Sequence, residues 1–116
     1  MKKIYYLSTC DTCARIIKEL KLGEKKFIFQ DIKTEKITKE QLEEMKNLSG
    51  SYEALFSRVA LKYKTLDPKP STEAEYKKLI LSEYTFLKRP VILVKDKIFI
   101  GNSKGNVQAA KEGIEK

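Results

Sequence analysis

The two cysteines of the chain, Cys10 and Cys13, are separated by two residues and follow an apolar run, residues 4–7. Thiols at this spacing can bind a metal, form a structural disulfide, lie inert in a core, or cycle between dithiol and disulfide. A structural zinc site takes four ligands, and the chain has no histidine and no third cysteine. A stabilising disulfide closes a long loop in an oxidising compartment, so a very short loop in a reduced compartment fits it poorly.

The position of the pair favours the redox interpretation over two buried, inert thiols. A thiolate at the first turn of a helix lies near unpaired backbone N–H groups and the positive end of the helix dipole, which lower its pKa. We expect Cys10 to be the exposed nucleophile and Cys13, one turn deeper, to be partly covered and to resolve the intermediate. The carboxylate of Asp11 opposes thiolate formation, so we expect milder activation than the motif alone suggests.

The elements around the pair form a β-α-β unit. Residues 2–7 predict a strand, and the helix that follows has Thr9, Asp11 and Thr12 as plausible caps and Gly23 as its end. A second strand is predicted at residues 27–32.

The middle of the chain is helical in period. Thr38 and Gln41 resemble a capping box, and Ser71 or Thr72 can cap a helix that ends at about Ser82. Residues 91–100 then predict a β-hairpin, and a last helix starts at about Lys104. The order favours an α/β, thioredoxin-like fold, β-α-β then β-β-α, with an all-helical insert at about residues 38–84. Because 116 residues suit one hydrophobic core, we expect a single domain over residues 1–116.

Composition narrows the classes of function. The formal charge of +8 comes from 24 Lys and Arg against 16 Asp and Glu, and the lysines are scattered through every segment. No basic stripe is interleaved with aromatic residues, so we expect no direct nucleic-acid binding. The sequence has no apolar run of membrane-spanning length and no signal-peptide pattern, and we expect a cytoplasmic monomer. Five aromatic residues are predicted to be core residues: Tyr5, Tyr6, Phe27, Phe29 and Phe86.

Three segments of the chain carry a resemblance to a known family: STCDTCARIIKEL at 8–20, ALFSRVALKYKTL at 54–66 and FLKRPVILVKDKIFIGNSKGNV at 86–107. They resemble the arsenate reductase and Spx family, thioredoxin-like proteins with a helical insert. The third is the most specific, because members of this family have an Arg-Pro pair leading into the hairpin and a glycine after its second strand, as Arg89, Pro90 and Gly101 do here. The resemblance covers the whole chain.

The resemblance implies a nucleophile at Cys10, a cis peptide bond before Pro90 that faces it, and an oxyanion held by Arg58 and Arg89. The sequence itself shows no Gly-rich phosphate loop and no metal-ligand cluster, so we expect no bound cofactor and no metal. Electrons would come from a thiol reductant, either glutathione with glutaredoxin or thioredoxin, and the substrate would be a small oxyanion or a disulfide.

Two functions stay open within this family. In a thiol oxidoreductase, Cys10 attacks the substrate and Cys13 then closes a disulfide. In an Spx-like regulator, the same pair senses oxidation while the protein binds the α-subunit of RNA polymerase. The chain departs from the glutaredoxin-dependent reductases because it has Lys104 where they have an arginine, and Ala14 where many members have one.

Overall fold

The computed structural model describes residues 2–115, which form two compact units. The first unit contains the chain up to Glu35 together with the chain from Arg89 onward, and the second is Lys36–Lys88. The strands are β1 (Lys2–Tyr6), β2 (Ile28–Asp31), β3 (Val91–Val94) and β4 (Lys97–Ile100). The helices are α1 (Asp11–Glu19), α2 (Lys39–Ser49), α3 (Glu73–Ser82) and α4 (Lys104–Glu115).

The first unit is built on a mixed sheet with the strand order β2-β1-β3-β4. Strand β1 is parallel to β2, with Tyr6 opposite Asp31, and antiparallel to β3, with Ile4 opposite Ile92. Strands β3 and β4 form the predicted hairpin, whose turn contains Lys95 in the left-handed conformation (φ 58°). The carboxyl end of β1 therefore leads into α1 between the carboxyl end of β2 and the start of β3.

The core of the first unit joins one face of the sheet to α1 and α4. Its buried members alternate along the strands and recur at helical spacing along the helices, as expected for one buried face of each element. They are Ile4, Ile16, Leu20, Leu22, Phe27, Ile92, Val94, Ala110 and Ile114. This packing fixes the first turn of α1 relative to the end of β1.

Both α-helices of the second unit begin with a capping box. In α2 the Thr38 hydroxyl accepts from the Gln41 N–H while the Gln41 side chain accepts from the Thr38 N–H, as predicted. Thr72 and Glu75 make the same reciprocal pair at α3. Gly50 ends α2 at φ 97°, a conformation that glycine adopts without strain. Phe56 contacts Tyr63, Tyr76 and Phe86 in an aromatic cluster.

The predicted α/β, thioredoxin-like order is confirmed, and two local predictions are wrong. Helix α1 ends at Glu19 and not at Gly23, because Lys21 takes the left-handed conformation (φ 55°) and starts a separate 3-10 turn, Leu22–Glu24. Phe29 is not a core residue, since it lies on the edge strand β2 with 38% of its surface exposed. None of the helices within residues 2–115 is long and apolar enough to cross a membrane.

Candidate active site

Cys10 is the N-cap residue of α1. Its backbone is extended (φ −97°, ψ 112°), its N–H donates to the Leu7 carbonyl over 3.0 Å, and its carbonyl accepts the first helical bond, from the Ala14 N–H, over 3.1 Å. Among residues 2–115, no hydroxyl or carboxylate side chain caps this end of the helix through a hydrogen bond, so the capping predicted for Thr9, Asp11 or Thr12 is wrong. Cys10 itself occupies the N-cap position.

This position lowers the pKa of the Cys10 thiol below its ordinary value. Partial burial, the largest influence, acts in the opposite direction and raises the pKa. It is outweighed by the backbone N–H and the thiol of Cys13, the backbone N–H of Thr12 and the charge of Arg89, all of which favour the thiolate. Cys10 is half-buried, so a reactant can reach its sulfur.

Cys13 has the opposite character. Its side chain is fully buried, and burial is the main reason why its pKa rises to about 11. The Cys10 sulfur raises the pKa further, both as a hydrogen-bond acceptor for the Cys13 thiol and as a neighbouring negative charge. Both cysteines are in the free thiol form. The structure therefore brings together a thiol that ionises readily and one that retains its proton.

Arg89 is the third residue of this group, since its charge lowers the pKa of both thiols. It is half-buried and precedes β3, and the Arg89–Pro90 peptide bond is cis. Pro90 is buried, and its carbonyl accepts from the Gly101 N–H over 2.9 Å, which ties the start of β3 to the end of β4.

Arg58 belongs to the second unit, where its guanidinium is already engaged. Its Nη2 atom donates to the Glu53 carboxylate and to the Tyr76 hydroxyl, each over 2.8 Å. The Glu53 carboxylate is the main reason why the pKa of Arg58 is raised. The Arg58 side chain remains 45% exposed, so it has room to contact an anion as well.

Sequence reasoning missed a cleft beside the cysteine loop. It encloses about 300 Å³ between the end of β1, the outer face of α1 and the edge strand β2. Its lining is mostly apolar: Tyr6, Leu7, Ser8, Ala14, Ile17 and Phe29. The Tyr6 and Phe29 rings meet edge to face, with centroids 5.8 Å apart. The exposure of Phe29 on an edge strand follows from the sheet order, which the sequence does not give.

Sequence reasoning also missed Asp31, the last residue of β2. One of its carboxylate oxygens accepts from the backbone N–H of Ser8 over 3.3 Å and from that of Lys33 over 3.1 Å. Interaction with Ser8 is the main reason why the pKa of Asp31 is lowered. The available signal was an acidic residue at the end of a strand parallel to β1.

The part of the chain that the structure describes has no group of three or more Cys, His, Asp or Glu side chains able to hold a metal ion. The candidate site thus consists of two thiols, the Arg89 charge and the backbone N–H groups of the first helical turn.

The model of the ArsC family matches residues 5–110 of the chain. A search of curated protein sequences found no match. Among solved structures, the chain is similar to an arsenate reductase related protein from Brucella melitensis, with 24% identity, a TM-score of 0.71, and coverage of 93% of this chain and 92% of that chain. It is also similar to a protein from Staphylococcus aureus COL, with 25% identity, a TM-score of 0.74, and coverage of 94% and 97%. An arsenate reductase from Vibrio cholerae is 12% identical, with a TM-score of 0.77 and 95% coverage of both chains.

Proposed function

We propose that this chain, which belongs to the ArsC family, is a thiol oxidoreductase in which Cys10 attacks the substrate and Cys13 resolves the intermediate. The observation that carries the proposal is the contrast between neighbouring thiols at the start of α1. The pKa of Cys10 is lowered while that of Cys13 is raised to about 11. Since the thiolate is the nucleophile, this contrast favours attack by Cys10.

With a disulfide as substrate, the Cys10 thiolate attacks one sulfur and forms a mixed disulfide, and the other sulfur leaves as a thiolate that takes a proton from solvent. Cys13 then loses its proton and attacks the Cys10 sulfur. The second substrate thiol leaves, and a Cys10–Cys13 disulfide forms. Two electrons pass from the cysteine pair to the substrate.

The order of these steps is supported by what raises the pKa of Cys13. Two of the contributions come from the Cys10 sulfur, as a hydrogen-bond acceptor and as a negative charge. Both are lost once Cys10 is bound covalently to the substrate, because the capped sulfur carries no charge. Cys13 therefore becomes easier to ionise only after the first step, which keeps the resolving thiol protonated until it is needed.

Arsenate fits the same chemistry. The Cys10 thiolate forms an S–As bond, and a hydroxyl of arsenate takes a proton from solvent and leaves as water. Cys13, or an external thiol, then attacks the Cys10 sulfur, and the electron pair of the S–As bond stays on arsenic, which leaves as arsenite. Arg89 would hold the oxyanion next to the thiolate, and Arg58 would be a second ligand if its guanidinium exchanges the Glu53 carboxylate for the anion. Thioredoxin, or glutaredoxin with glutathione, would reduce the resulting disulfide.

The test measures whether the purified protein turns over arsenate or a small disulfide. Each substrate is assayed once with thioredoxin as reductant and once with glutaredoxin plus glutathione. We expect activity with at least one pair, no activity for Cys10→Ser, and for Cys13→Ser activity only with glutathione. Absence of turnover with every pair would contradict the proposal. If the inactive protein still formed the Cys10–Cys13 disulfide and was retained by the α-subunit of RNA polymerase, the regulator would be the better assignment.

A further inference from the structure

Asp31 joins the end of β2 to the loop that carries the nucleophile. Strands β1 and β2 are parallel, so Tyr6 and Asp31 lie side by side where both strands end, and the Ile32 N–H donates to the Tyr6 carbonyl over 2.9 Å. Two residues beyond the end of β1, the Ser8 N–H donates to the Asp31 carboxylate over 3.3 Å. The connection between β1 and the N-cap of α1 is thereby attached to the sheet.

We propose that Asp31 is a positioning residue that holds the Ser8–Cys10 backbone in the conformation that lets α1 activate the Cys10 sulfur. The inference rests on the proposed function, because it concerns the reactivity of that sulfur. Activation depends on the backbone N–H groups of Thr12 and Cys13 reaching the sulfur, and therefore on the extended backbone of Cys10. The Ser8 N–H, two residues before Cys10, is the point at which the Asp31 side chain of β2 holds this loop.

Asp31 is suited to this role because the turn after β2 holds both its side chain and its backbone carbonyl. The same oxygen accepts from the Lys33 N–H over 3.1 Å, and the Asp31 carbonyl accepts from the Glu35 N–H over 2.8 Å. The side chain is therefore fixed by its own turn before it reaches Ser8. Its pKa is lowered, so it stays ionised and able to accept throughout the neutral range.

A positioning role and a direct electrostatic role have opposite signs. A negative charge near Cys10 would raise the thiol pKa, so its removal would make Cys10 more reactive. The principal influences on the Cys10 pKa are its burial, Cys13, Thr12 and Arg89. Loss of the Asp31 contact should instead loosen the backbone of residues 8–10, move the Cys10 sulfur away from the N–H groups of the first helical turn and make Cys10 less reactive near neutral pH.

The experiment measures the rate at which iodoacetamide alkylates Cys10 in the reduced full-length protein from pH 5 to 10, with the site identified by mass spectrometry. We expect Asp31→Ala to react about threefold more slowly than wild type at pH 7, equivalent to about half a pKa unit, and at the same rate at pH 10. Asp31→Asn, which keeps an acceptor oxygen, should react within about 1.5-fold of wild type. Asp96→Ala, which removes an exposed carboxylate in the hairpin turn, is the matched control and should match wild type.

The inference is overturned, and the proposed function is not, if Cys10 of the wild-type protein has a lowered pKa and Asp31→Ala is alkylated at pH 7 as fast as wild type or faster. An ordinary thiol pKa in the wild-type protein would overturn the proposed function and the inference together. If Asp31→Ala fails to fold, Asp31→Ser keeps an oxygen for the Lys33 N–H but is one atom too short to hold the Ser8 N–H, and it should slow alkylation at pH 7 by about threefold. Unchanged alkylation of that variant would then overturn the inference.

Discussion

The thiol of Cys13 donates a hydrogen bond to the sulfur of Cys10, and this contact moves the two pKa values apart. It helps to lower the pKa of Cys10 and to raise that of Cys13. The two residues lie one helical turn apart, with Cys10 at the cap and Cys13 within the first turn of α1. Together with the deeper burial of Cys13, this hydrogen bond distinguishes the proposed attacking thiol from the proposed resolving thiol.

Replacement of Cys13 by alanine is expected to raise the pKa of Cys10, because the thiolate loses a hydrogen-bond donor. Cys13→Ser keeps a hydroxyl donor and should raise the pKa less. The measurement is the pH dependence of Cys10 alkylation in the two variants and in wild type. An identical pKa in Cys13→Ala and wild type would show that the Cys13 thiol does not stabilise the Cys10 thiolate.

Arg89→Gln is expected to slow alkylation of Cys10 at pH 7 by about threefold to tenfold, since the charge of Arg89 lowers the pKa of both thiols. Arg89→Lys keeps a positive charge and should retain most of the wild-type rate. Lys88→Gln removes a neighbouring exposed charge and is the control for net charge. Equal slowing by Arg89→Gln and Lys88→Gln would assign the effect to general electrostatics.

Cys13 should also make stability depend on pH above neutrality. Its folded pKa of about 11 lies above the ordinary value of 9.0, so between these values the folded state keeps a proton that the unfolded state loses. The resulting stabilisation is complete below about pH 9 and is lost as the pH rises through 11. Between pH 8 and 10.5, wild type should lose up to about 2 kcal/mol of unfolding free energy more than Cys13→Ala.

Urea unfolding of both proteins under reducing conditions measures this difference. Cys13→Ala removes a buried side chain, so its stability at pH 8 will be lower, and only the change with pH bears on the prediction. Parallel stability curves over this range would mean that the Cys13 pKa is not raised by folding.

Arg58 and Glu53 should have opposite effects on oxyanion binding if Arg58 is an anion ligand. Arg58→Ala removes the guanidinium and is expected to raise the KM for arsenate about tenfold. Glu53→Gln weakens the partner that holds the guanidinium 2.8 Å away, so it should lower the KM. Steady-state kinetics of both variants test the pair, and a higher KM in both would indicate that their ion pair matters only for the structure of the second unit.

The sequence predicted the elements whose signals are local. The capping box of Thr38 and Gln41, the hairpin after Pro90 and the helix from Lys104 each depend on residues within a few positions of one another, and all three are present. The predicted end of α1 was wrong. Left-handed backbone was expected at Gly23, because glycine adopts it without strain, and nothing in the sequence indicated that Lys21 would adopt it instead.

The missing parts of the candidate site depend on the order of the strands. Phe29 was predicted to be one of five core aromatic residues, but β2 is an edge strand and exposes it. Asp31 reaches Ser8 across 23 positions of sequence, and only the parallel pairing of β1 with β2 brings them together. The contrast between Cys10 and Cys13 was predictable in direction, because a helix N-terminus and burial act on a thiol in known ways.

The contrast between Cys10 and Cys13 is tested most directly by titrating both thiols in the reduced wild-type protein. The rate of alkylation is measured over the pH range, and mass spectrometry identifies each modified cysteine. We expect Cys10 to be alkylated with a pKa below the ordinary thiol value of 9.0, and Cys13 to stay unmodified until the pH is well above 9. An ordinary or raised pKa for Cys10, or modification of Cys13 before Cys10, would contradict this expectation.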